Sequence, residues 1–123
     1  MLAEQQLVAF LATRDATRAR QFYAETLGLS LVSDDPYAFV FNANGTTIRI
    51  QKVEQLTPQP FTALGWTVRD IASTVNELRK RGIQCEQFPG MDQDANGVWA
   101  APSGARVAWF KDPDGNMLSL TQL

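Results

Sequence analysis

Histidine is absent from all 123 residues. That absence removes Ser-His-Asp and Cys-His catalysis, histidine bases at neutral pH and every His-ligated metal site. A metal ion would have to rest on carboxylates, amides and carbonyls, which favours hard cations such as calcium or magnesium. There is one cysteine, Cys85, so no internal disulfide can form, and the chain fits a reducing, cytoplasmic compartment. Only Glu86 stands beside Cys85, and with no histidine near, a structural thiol is expected rather than an activated thiolate. No apolar run approaches the ~20 residues a membrane helix needs. The opening Met-Leu-Ala-Glu-Gln-Gln lacks the basic and apolar regions of a secretory signal. Neither sign of charge dominates: 11 basic and 13 acidic residues are intermixed for a net charge of −2. Neither nucleic acid nor membrane is therefore expected as a partner. The acidic clusters Asp34-Asp35, Asp92/Asp94 and Asp112/Asp114 lack calcium-loop spacing and read as solvated turns.

What the chain does have is a repeat. Residues 8–28, VAFLATRDATRARQFYAETLG, and 63–82, ALGWTVRDIASTVNELRKRG, share one grammar. Each is an apolar strand run, Arg-Asp, an amphipathic helical pattern and a helix-ending glycine. Asp15 to Gly28 spans 13 positions and Asp70 to Gly82 spans 12. Each half closes with a turn between two strand-like runs, at Asn44-Gly45 and at Asp114-Gly115. The length suits one domain that buries roughly two-thirds of its unfolded surface.

A strand is expected over 6–12. Asp15 then caps a helix whose Ala16, Ala19, Phe22, Tyr23 and Leu27 fall on one stripe. Strands follow at 29–33, 38–42 and 46–52. Residues 53–61, with two prolines, form a linker between module one (about 5–52) and module two (about 62–123). The second half runs strand 62–69, helix 71–81 on Ile71, Val75 and Leu78, then strands 83–88, 105–111 and 116–122. Gly45 to Gly115 is 70 positions, whereas Asp15 to Asp70 is 55, so about 15 extra residues lie within 88–104. They form either a surface loop or hairpin, or a lid carrying Trp99.

The runs RDATRARQFYAETLGL and VAWFKDPDGNMLSLTQL make the chain resemble the vicinal oxygen chelate superfamily, the glyoxalase, bleomycin-resistance and extradiol dioxygenase group. The resemblance covers essentially the whole chain. It implies an α+β fold of two tandem βαβββ modules whose mixed sheets curl into a cleft, a single glyoxalase-like domain, and pairing as a homodimer. In metal-using members the first and last strands of the modules supply the ligands. Counting from shared landmarks puts those positions on Ala9, Leu64, Arg49 and Ser119, of which three cannot coordinate a cation and the fourth is a weak ligand. No metal and no cofactor are expected.

If register follows the family, Ala9, Leu11, Arg49, Gln51, Leu64, Trp66, Met117, Ser119 and Thr121 line the cleft, and Ile48, Ile50, Leu118 and Leu120 face the helices. Arg49 would suit a carboxylate or phosphate, or be a structural ion pair or surface residue. Trp66 and Trp99 are read either as pocket walls for a planar compound or as core packing, and Trp109 as core. Tyr37 is either loop packing or a general acid. The candidate ligand-binding set is thus Ala9, Arg49, Gln51, Leu64, Trp66, Trp99 and Ser119, and no catalytic residue is assigned. The expected function is metal-independent binding of a small organic molecule, sequestering a hydrophobic or anionic compound. The alternatives are a cofactor-free isomerase or lyase on a small organic acid, and a dimeric interaction module with a vestigial cleft.

Overall fold

The computed structural model describes residues 1–123. They form two compact units, Met1–Thr57 and Pro58–Leu123, divided inside the proline-bearing segment 53–61. Each unit is a βαβββ module with one four-stranded mixed sheet, and the fold is α+β.

In the first module β1 (Val8–Thr13) leads into α1 (Ala16–Arg20), which runs on as a π-helical segment, Gln21–Thr26. Then come β2 (Ser30–Asp34), β3 (Ala38–Ala43) and β4 (Thr46–Lys52), in the sheet order β1-β4-β3-β2. The Asp15 carboxylate caps the helix by accepting from the Arg18 N–H at 3.2 Å. The helix widens where the Leu27 N–H reaches the Phe22 carbonyl, five residues back, at 2.9 Å. A single π turn accommodates one extra residue, which accounts for the 13 positions from Asp15 to Gly28 against 12 in the second half. It also lets two consecutive aromatics, Phe22 and Tyr23, both enter the core, edge to face at 5.0 Å. Tyr23 packs on Phe41 at 6.1 Å, above fully buried Phe39, Ile48 and Ile50. The two-residue turn has Asn44 at φ +50° and Gly45 at φ +93°, the left-handed pair that matches strand twist in a hairpin.

In the second module β5 (Thr62–Thr67) leads into α2 (Ile71–Lys80), followed by β6 (Trp99–Ala100), β7 (Arg106–Lys111) and β8 (Met117–Gln122), in the order β5-β8-β7-β6. Asp70 caps α2 through the Ser73 N–H at 3.1 Å, and the Gln122 side chain accepts from the Ile71 N–H at 2.9 Å. The helix ends as a Schellman motif: Gly82 at φ +87° donates to Arg79, and Ile83 donates to Leu78. Ile71, Val75 and Leu78 bury against the sheet face that carries Ala108, Phe110, Leu118 and Leu120.

Two sequence expectations change here. Residues 83–88 form no strand. They touch the sheet through one main-chain bond, from the Glu86 N–H to the Trp109 carbonyl at 2.8 Å. The fourth strand is instead β6, from inside the stretch expected to be a loop, a hairpin or a lid; it pairs antiparallel with β7 and takes the sheet edge beside it. That stretch is tied down. The Gln93 amide accepts from the Phe88 N–H and donates to the Glu86 and Gly97 carbonyls at 2.7–2.9 Å, while the Asp94 carboxylate accepts from Asn96 and Val98. Second, Asp112 and Asp114 are buried, not solvated. The Asp112 carboxylate accepts from the Asp114 and Asn116 N–H groups and the Asn116 amide, each at 2.9 Å, and this builds the turn before β8.

Candidate functional site

Register decides which side chains share a face, because partners in neighbouring strands project to the same side of the sheet. In module one Ala9 lies beside Ile48 and Leu11 beside Ile50, so both face the helix. Val8, Phe10 and Ala12 lie beside Thr47, Arg49 and Gln51 on the opposite face. In module two Leu64 pairs with Leu118 and Trp66 with Leu120, again on the helix side, whereas Gly65 and Thr67 share the other face with Ser119 and Thr121. The expected cleft faces are therefore corrected for both first strands: Ala9, Leu11, Leu64 and Trp66 point away from Arg49, Gln51, Ser119 and Thr121. Trp66 stacks on Phe110 at 6.4 Å within the helix-facing layer.

Arg49 is half-buried on the face away from the helix and makes no ion pair. Its charge helps hold the Asp35 carboxyl below the usual carboxylate range, after the larger effect of the Tyr37 and Ala38 N–H groups. Asp34 is lowered as well, first by a hydrogen bond from Lys52 at 2.7 Å and then by Arg20 at 2.7 Å. Gln51 is exposed on the same face, and Tyr37 stands out into solvent in the turn before β3.

Module two carries an aromatic recess. Pro60, Phe61, Thr62, Phe88, Met91, Trp109 and Met117 line a recess of about 200 Å³. Trp109, expected in the core, is half-buried and forms a wall here, edge to face with Phe88 at 5.5 Å and 6.1 Å from Trp99. Trp99 sits on the same face because it pairs with Val107. Ser119 lies directly beside Trp109 across the β7–β8 ladder and beside Gly65 across the β5–β8 ladder. Sequence reasoning missed Phe61, Phe88, Met91 and the role of Trp109. The FPGM run was a visible aromatic and thioether signal, but its place on the sheet depends on the Gln93 and Asp94 bonds that fold the loop.

Nothing lining this recess is titratable, so the chemistry it offers is apolar contact, ring stacking and sulfur–aromatic contact. Nor do the residues fit the divalent cation of metal-using relatives. No three His, Cys, Asp or Glu side chains come together to hold one, and Arg49 stands on the expected fourth strand as a cation. Cys85 is buried, and burial pushes its thiol pKa up, which keeps it protonated and unreactive.

The profile described as Glyoxalase/Bleomycin resistance protein/Dioxygenase superfamily matches residues 5–120. The protein YraH of Bacillus subtilis (strain 168) is 26% identical over 129 aligned positions, covering 92% of this chain and 94% of YraH. A solved member of the same superfamily from Sphaerobacter thermophilus superposes with a TM-score of 0.75 at 26% identity, covering 100% of both chains. TnmS3, an antibiotic binding protein from Streptomyces sp. CB03234, superposes with a TM-score of 0.72 at 22% identity, covering 99% of this chain and 98% of TnmS3.

Proposed function

The chain belongs to the glyoxalase/bleomycin resistance protein/dioxygenase superfamily, and from that membership we propose that it is a metal-independent binding protein that sequesters a small hydrophobic molecule. One observation carries the reading: the recess on the second sheet is walled by Phe61, Phe88, Trp109 and two methionines, with no titratable group on its lining. Such a surface holds a ligand by burial and stacking and has no acid or base with which to alter it. That TnmS3, which shares the fold, is an antibiotic binding protein agrees with sequestration. The anionic part of the expectation rests on Arg49, a half-buried cation without an ion pair in the other module.

The test is a thermal-shift and tryptophan-fluorescence screen of the purified protein against planar aromatic antibiotics, small organic acids and divalent cations. A ligand at 100 times its dissociation constant adds about 2.7 kcal/mol, a shift of several degrees for a domain of this size. Stabilisation by an aromatic compound, lost in Trp109→Ala, is the expected result. A shift with a divalent ion alone would overturn the reading.

A second reading, self-association as a homodimer, has its own observation. Val8 (42% exposed) and Phe10 (56% exposed) lie on β1, an outer strand of its sheet, and present apolar surface. Light scattering across a concentration series tests it, with Phe10→Ser expected to shift the equilibrium toward monomer.

A further inference from the structure

We propose that the second sheet selects an uncharged planar aromatic bearing hydrogen-bonding groups along one edge, read by a ladder of three hydroxyls on Ser119, Thr121 and Thr67. The inference rests on the binding function proposed above and specifies the ligand class for the sheet face that continues from that recess past Trp109, the partner of Ser119. Ser119 and Thr121 are two residues apart on β8, so their hydroxyls leave one face about 7 Å apart. Thr67 is the register partner of Thr121 on β5, about 4.8 Å across. None of the three hydroxyls is engaged by another protein group, so each is available as donor or acceptor.

The aromatic side of the strip runs parallel to this ladder. Trp109 is the partner of Ser119 on β7, and Trp99 shares the face two residues along. A planar ring lying along the sheet therefore meets indole on one side and hydroxyls on the other. Gly65 supplies the floor: its place beside Ser119 carries no side chain, and a Cβ there would fall 2.5 Å from the Ser119 Oγ. The glycine lets that hydroxyl lie over β5.

Charge is what excludes the competing class. The one ionic side chain on this face of β5, β7 and β8 is Lys111, at the end of β7, where it faces Glu86 at 3.5 Å. Arg106 falls on the opposite parity, in line with Gln122. An anion would find no free cation here, whereas an uncharged ring with oxygens or nitrogens on one edge meets apolar walls and neutral donors. Burying such groups against unoccupied hydroxyls recovers the hydrogen bonds they lose from water.

The experiment compares three probes on the full chain by tryptophan quenching: a dihydroxynaphthalene with both hydroxyls on one long edge, naphthalene, and naphthalenesulfonate. The diol is expected to bind tightest. Ser119→Ala and Thr121→Val should each weaken the diol about fivefold, the value of one neutral hydrogen bond, and leave naphthalene unchanged. Gly65→Ala, by turning the Ser119 hydroxyl, should reproduce the Ser119→Ala loss. Each variant is compared at matched folded fraction, checked by thermal unfolding. Naphthalene and diol binding equally, with both still lost in Trp109→Ala, would overturn the hydroxyl ladder and leave the binding site standing. Preference for the sulfonate would overturn the uncharged class. Binding of no probe at a Trp109-dependent site would overturn both.

Discussion

The Ser119 Oγ occupies the space that a side chain at Gly65 would need: a Cβ built there lies 2.5 Å from it, with the Ser119 carbonyl 3.4 Å away. The close contact is with the end of a small, rotatable side chain, while the backbone contact is ordinary. Gly65→Ala is therefore expected to destabilise by about 1 kcal/mol, at the lower end of overpacking costs. In a Ser119→Ala background the same substitution should become neutral or stabilising by about 0.5 kcal/mol, since glycine inside a strand carries an entropic cost that alanine relieves. A double-mutant cycle by urea unfolding measures the difference. Additive effects would show that the two residues do not compete for this space.

The turn before β8 depends on one buried carboxylate. Asp112→Ala leaves the Asp114 and Asn116 N–H groups and the Asn116 amide without the acceptor they share. Unpaired buried donors cost about 1–3 kcal/mol each when water cannot replace the lost partner. A net loss of about 3 kcal/mol is expected, seen as a lower denaturation midpoint with unchanged slope. Asp112→Asn should lose less, because it keeps one acceptor oxygen.

Acid should weaken the first module through Asp34 and Asp35, whose folded carboxyl pKa values lie below the ordinary carboxylate value. For a depressed folded pKa the unfolded state binds protons first. The contribution is therefore complete above an unfolded pKa of about 3.9 and is lost as pH falls further through the folded value. Thermal midpoints of the wild type and of Asp34→Asn should differ at neutral pH and converge as pH falls below the ordinary carboxylate value and through the lowered folded one. Because the Asp34 partners Arg20 and Lys52 meet it at the surface, the neutral-pH difference should also shrink in salt. A gap that stays constant with pH would show that the pair adds nothing specific.

Both helices start on an aspartate whose carboxylate accepts the N–H three residues on. Asp15→Ala and Asp70→Ala should each cost about 1 kcal/mol, and Ser or Asn at either position should restore most of it. Calorimetry of these variants checks this. Equal stability of Asp70→Ala and wild type would mean that Gln122, which already accepts the Ile71 N–H, suffices at that end.

The sequence by itself determined what is local. Asp15 and Asp70 cap helices, Gly28 and Gly82 take positive φ at or beyond their ends, and Asn44-Gly45 forms the hairpin. Each is an interaction between residues at most a few positions apart, so residue type and spacing suffice. Even the one-position difference between the repeats had a local cause, the π turn of Gln21–Thr26. The facing of the two first strands was not legible in the same way. VAFLAT and TALGWT carry apolar residues at both odd and even positions, so a period of two marks neither face. Only pairing with β4 and β8 turned Ala9, Leu64 and Trp66 toward the helices and left Val8, Phe10 and Gly65 on the other side. Pairing likewise resolved Trp66, open between pocket and core, to the helix-facing layer, and moved Trp109 from the expected core to the recess. Likewise the recess took its Phe88 and Met91 walls from a loop closed by Gln93 and Asp94. Those long-range partners were chosen by which apolar surfaces could be buried together, and that choice belongs to the folded chain as a whole.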